Sequence, residues 1–103
     1  MQQFALAYYG GSRPATKEEG QAHMSNWMGW INDLGDAVIN SGMYFGASRH
    51  VNANGTHDGP AGAPLNGLTI LQFATMDEAC TAAATCPHIG IGGTIDVAPL
   101  MQM

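Results

Sequence analysis

The chain has 103 residues, enough for one small domain, and at 46% hydrophobic against 11% charged residues it is a folding sequence and not a disordered one. Its formal net charge is −5, with only Arg13, Lys17 and Arg49 positive, which argues against nucleic acid or an anionic membrane surface as partner, because phosphates demand several Lys or Arg. No apolar run approaches the roughly 20 residues of a spanning helix, and the opening MQQFALAYY lacks the basic start of a secretory leader, so residues 1–103 read as a single cytoplasmic domain.

Residues 3–9, QFALAYY, are apolar at nearly every position, the pattern of a strand covered on both faces. GGSRP (10–14) is a loop. Thr16 followed by Glu19 has capping-box spacing and predicts a helix from near Lys17 to about Leu34, closed by Gly35. At helical spacing His23, Trp27, Trp30 and Leu34 form one stripe, and Met24, Met28 and Ile31 form the next. Residues 37–49 are irregular: Val38 and Ile39 read as a continuation out of the helix, and Met43 to Ser48 as an irregular strand. Asn54-Gly55 is the strongest hairpin signal, with HVNA before it and TH after. The loop 58–67 contains Pro60 and Pro64.

LTILQFA (68–74) is again apolar on both faces. Thr75 and Glu78 repeat the capping box for a second helix, whose buried stripe is the small set Ala79, Ala82, Ala83 and Cys86. Pro87 stops it, HIGIGG reads as a glycine-rich turn, and TIDVAPL (94–100) is the last strand, with Ile95 and Val97 on one face and Thr94, Asp96 and Ala98 on the other. On one predicted helix Cys80 and Cys86 would lie about 9 Å apart along the axis, too far for a disulfide, and read as two reduced, packed thiols.

The order β-α-β-β-α-β predicts an α+β, ferredoxin-like fold with two helices on one face of a four-stranded antiparallel sheet. Its central strands are apolar on the uncovered face too. At roughly 25 cal/mol per Å² that face is worth burying, so a homodimer packed sheet to sheet is expected, a dimeric α+β barrel.

The chain resembles the YCII-related (DGPF-type, YciI-like) domains. The matching residues are AYYGG (7–11), His23 in the first helix, HDGP (57–60), LTILQFATMDEA (68–79) and CPHIGIGGTIDVAP (86–99), which together span nearly the whole chain in order. The resemblance implies a dimeric α+β barrel with a helix histidine and an aspartate as a proposed catalytic pair, corresponding to His23 and Asp58. Two departures stand out: Ala61 where the family often has Phe after DGP, and Ala98 where its last strand often carries Arg.

On residue type alone His23 is the best general acid/base, since imidazole titrates nearest neutrality, and Asp58 is the carboxylate that would orient its ring. Such a pair suits lyase- or isomerase-type proton transfer on a small molecule. The bland readings are a helix-edge histidine and an Asx-type turn. Tyr8, at the end of a central strand, is a candidate hydroxyl donor. Trp27 and Trp30 are core residues or an aromatic wall. His57 alternates away from Asp58 and is a weaker substrate-binding candidate.

No serine or cysteine sits in a nucleophile motif. No histidine pair has metal spacing, C-x-x-C is absent, and HIGIGG precedes a strand and not a helix, so neither a metal nor a dinucleotide or other cofactor is expected. The expected partners are a second copy and a small-molecule ligand. The alternative to an enzyme is a dimeric, non-catalytic binding or accessory module.

Overall fold

The computed structural model describes residues 1–101. In chain order it contains β1 (Gln2–Gly10), α1 (Lys17–Leu34), a single 3-10 turn (Gly35–Ala37), β2 (Val38–Tyr44), β3 (Arg49–Asn52), β4 (Gly55–Asp58), β5 (Leu65–Phe73), α2 (Met76–Ala84), α3 (Pro87–Gly90) and β6 (Gly93–Pro99). The main sheet has the order β2-β5-β1-β6, and each of its pairings is antiparallel. This is the ferredoxin-like α+β plan, with β1 and β5 central as their two-sided apolar patterns require. β3 and β4 form a separate two-stranded sheet closed at Asn54-Gly55.

Both long helices begin as their sequences dictate. Thr16 accepts a hydrogen bond from the Glu19 N–H at 3.1 Å, and the Glu19 carboxylate accepts from the Ala15 N–H at 2.8 Å. Thr75 accepts from the Glu78 N–H at 3.2 Å. Each cap satisfies a donor that the first helical turn leaves free. Gly35 closes α1 with φ 54° and donates its N–H to the Asn32 carbonyl.

One face of the sheet carries the core. Phe4, Leu6 and Tyr8 of β1 alternate inward beside Thr69 and Leu71 of β5, and Trp27, Trp30, Ala79, Ala83 and Cys86 pack onto them from the helical side. Full burial of Phe4, Leu6 and Leu71 stabilises the fold by about 2 kcal/mol apiece. The small residues of α2 let it lie close to the strands, as the stripe predicted. The opposite face presents Ala5, Ala7, Leu68 and Ile70, none of which is buried.

Four local expectations are corrected. Val38 and Ile39 begin β2, which runs to Tyr44 with register breaks at Val38/Asn40 and Asn40/Met43, so the irregular strand lies earlier than Met43–Ser48. Pro87 ends α2 but also opens α3, because proline is suited to the first helical position, and HIG of the supposed turn is helical. Cys86 therefore lies outside the helix that carries Cys80; it is buried, whereas Cys80 is exposed and not packed. Met24 and Met28 are 52% and 55% exposed, so the apolar arc of α1 is narrower than two stripes. No helix among the described residues is long and apolar enough to cross a membrane.

Candidate functional site

A cavity of about 680 Å³ opens where β1 ends. Its inner wall is Tyr8, Trp27 and His88, and its sides come from three loops: Gly10–Pro14 after β1, Phe45–Ser48 after β2, and the segment from Gly59 to Pro64 after β4. Gly11, at φ 90°, sits where a side chain would press on His88 and Ile91, so the loop turns there only with glycine. Gly59, at φ 79°, turns the chain out of β4 so that Pro60 reaches the wall.

His23 lines this cavity from α1. It is half-buried, with its ring centred 6.0 Å from that of Trp27. Trp27 in turn meets Tyr8 edge-on at 5.0 Å and Trp30 at 5.6 Å. Trp30 donates its indole N–H to the Ala82 carbonyl and to Thr85 Oγ1, and it belongs to the core alone. Trp27 belongs to both core and cavity.

Tyr8 presents its ring to the cavity, while its hydroxyl donates to Thr69 Oγ1 at 2.7 Å. Burial pushes its ionisation above the usual phenol range, so it stays a neutral phenol. Burial likewise pushes the Cys86 thiol up to about 11, opposed by a hydrogen bond from the His88 backbone N–H. A thiol this hard to ionise is no nucleophile at neutral pH.

The other two sequence candidates lie on the hairpin. Asp58 ends β4 opposite Arg49, with Oδ1 3.7 Å from the arginine Nε and the carboxylate side chain 100% exposed. Its carboxylate does not line the cavity, although Gly59 and Pro60 do. His57 stacks on His50 with ring centroids 4.8 Å apart, and its Nε2 contacts Asn52 Oδ1 at 3.3 Å. The fold thus brings His23, Tyr8 and Trp27 together and leaves Asp58 and His57 outside. Among the described residues, no group of three or more His, Cys, Asp and Glu side chains is placed to hold a metal ion.

Two cavity residues carry no signal in the sequence. There Arg13 is only one of three cations, and His88 only a histidine after a Cys-Pro. Their positions complete the polar part of the cavity lining. Its residues include Arg13, His23 and His88 and no Asp or Glu, in a chain whose formal charge is −5, while Glu19 stands in the adjoining pocket that shares Arg13 and His23. A site so lined favours an anionic or readily ionised ligand.

No protein-family model matches the chain, and no curated protein matches it. Among solved structures it is similar to 5-chloro-2-hydroxyhydroquinone dehydrochlorinase (TftG) from Burkholderia phenoliruptrix AC1100, solved in complex with 2,5-dihydroxybenzoquinone. The two share 14% identity over 97% of this chain and 95% of that one, with a TM-score of 0.59. A likeness at this identity shows the α+β fold alone.

Proposed function

We propose that this chain is a small cytoplasmic YCII-related protein of one domain that works as a homodimer and carries out lyase- or isomerase-type acid/base chemistry on a small, flat, acidic molecule. The observation that carries the proposal is the cavity itself. It has aromatic walls, one ionisable imidazole from α1 at its side, Arg13 in its lining and no Asp or Glu among its lining residues. In that setting neutral His23 takes a proton from a C–H or O–H of the bound molecule, and Arg13 stabilises the anion that forms. The protonated ring then returns the proton to a neighbouring atom or to a leaving group. No cofactor is needed for this step. The solved neighbour of the same fold, which is a dehydrochlorinase with a ring compound bound, supports the reaction class and the shape of the substrate.

Asp58 enters this proposal as the residue that orients His23 once the end of β4 folds inward. The motion breaks the solvent-exposed pair with Arg49, which is weakly held, together with the ladder pairing of Asp58 with Arg49 at the open end of the hairpin. The second reading, a binding module without turnover, is favoured by the position of Asp58 outside the cavity. The homodimer rests on Ala5, Ala7, Leu68 and Ile70 of the open sheet face, which a second copy would bury.

Thermal-shift screening with paired acidic and neutral rings, benzoate against benzamide first, tests the proposal. The anion should raise the melting temperature and the amide should not, and Arg13→Gln should erase the difference. Hits are then incubated with wild type and with His23→Gln. Product formed by wild type alone supports the enzyme; ligand recovered unchanged from both leaves the binding module. No preference for anions sinks both readings of the cavity.

A further inference from the structure

His88 lies on the short α3 and is 5% exposed, yet its side chain reaches the cavity wall. Its Nε2 is 2.9 Å from the Tyr9 carbonyl oxygen. A carbonyl only accepts, so Nε2 carries the proton, and in the neutral ring the lone pair sits on Nδ1. The ring cannot turn over without losing that bond. Its Nε2 and Cδ2 edge also lies directly against Gly93, where any Cβ would collide with it, and its Cε1 lies against Gly11. Tyr8 closes a further side with its ring at 5.5 Å.

Nδ1 makes no hydrogen bond to any described residue. It is also not a buried unpaired atom, since among the described residues Trp27 Nε1 alone has that status. Nδ1 therefore keeps some accessible surface, on a residue that lines the cavity. The inner wall thus offers a fixed acceptor that no other described residue uses.

We infer that His88 is a ligand-reading residue: its Nδ1 accepts a hydrogen bond from a hydroxyl of the bound ring. The inference rests on the cavity reading above and narrows the ligand to an acidic ring that also carries an un-ionised hydroxyl. Nothing is transferred at this position. His88 orients the ring while His23 and Arg13 act on it.

The test uses protein labelled with ¹⁵N-histidine and the probes phenol and anisole, which share a ring but not a hydroxyl donor. The two-bond ¹⁵N–¹H pattern of His88 should report the Nε2–H form. Phenol should shift Nδ1 saturably, and anisole should not. His88→Gln keeps an amide near the Nε2 position to serve the Tyr9 carbonyl but has no counterpart of Nδ1, and should weaken phenol binding about tenfold. If phenol moves the His23 signals and leaves Nδ1 of His88 unmoved, His88 is only a tether for β1; the inference falls and the cavity reading survives. Wild-type affinity in His88→Gln overturns the inference in the same way. If phenol moves neither histidine while benzoate still binds, the hydroxyl assignment is wrong; if benzoate also fails, the cavity reading goes with it. Should His88→Gln not fold, the wild-type titration decides alone.

Discussion

The inner wall of the cavity and the β3–β4 hairpin are built on opposite principles. Tyr8, Trp27 and His88 come from three elements distant in sequence and are each at most 7% exposed, locked by ring-to-ring contacts and by the Tyr9 carbonyl. The hairpin is local, and all four residues of β4 are exposed. Its histidines contact each other and hairpin-side backbone or Asn52. A buried wall can hold a ligand atom to a fixed position. An exposed ribbon can only do so after moving. The most recognisable motif of the chain, HDGP, lies on the ribbon, while the fixed geometry lies on the wall.

The largest effect should come from Gly93→Ala, which places a methyl group where the His88 ring lies. The ring must leave the Tyr9 carbonyl, and overpacking of this kind costs up to about 3 kcal/mol. Urea unfolding should show the loss, and the double variant Gly93→Ala/His88→Ala should show much less than the sum of its single changes. Additive losses would mean that the wall is not packed as described.

Next in size is the alkaline limit. The Cys86 thiol is raised from 9.0 to about 11 in the fold, so both states are protonated below pH 9 and the fold loses nothing there. As pH rises from 9 through 11 the unfolded chain releases its proton first, and stability falls by about 2 kcal/mol. Burial of Tyr8 pushes in the same direction. Cys86→Ala should flatten the part of the loss that comes from the thiol. A stability curve that is level to pH 11 would show that the wall is wet.

A smaller contrast separates the two tryptophans. Trp30→Phe removes hydrogen bonds to Ala82 and Thr85, whereas Trp27→Phe removes a buried N–H that has no partner. With similar loss of volume, Trp30→Phe should be the more damaging by about 1 kcal/mol in denaturant titration. The reverse order would mean that Trp27 is bonded in solution.

How much of this is legible in the sequence follows the same division. The capped helices are readable because a capping box is a local device: Thr16 with Glu19, and Thr75 with Glu78. The central strands are readable because burial on two faces needs unbroken apolar runs. β2 is not, since Asn40, Ser41 and Gly42 interrupt the alternation of an edge strand with register breaks. α3 is hidden because Pro87 is both a stop and a start. The cavity is half legible. His23 stands on a periodic helix, but His88 meets Tyr9 across 79 residues, and no local pattern announces a contact of that span. HDGP draws the eye as a motif, yet its aspartate is placed by an isolated ribbon whose relation to His23 no spacing rule fixes.

The smallest effect decides what the ribbon is for. In the free protein Asp58→Asn should leave the melting temperature unmoved, because the carboxylate is fully exposed and its pair with Arg49 is loose. It should also leave the ring signals of His23 where they are, since the carboxylate does not line the cavity. With benzoate bound, the two proteins should part: if the end of β4 folds inward, the His23 signals of wild type change with ligand in a way that Asp58→Asn does not reproduce. Gly59 and Pro60 already line the cavity, and Gly59 is in the left-handed region, so the motion requires Asp58 to leave its ladder pairing with Arg49 and turn at that glycine. Identical spectra in the loaded state would remove Asp58 from the chemistry and leave His23 to work with Arg13 alone. A difference already present without ligand would mean that the ribbon rests against the cavity in solution, and that the contrast between wall and ribbon is one of exposure only.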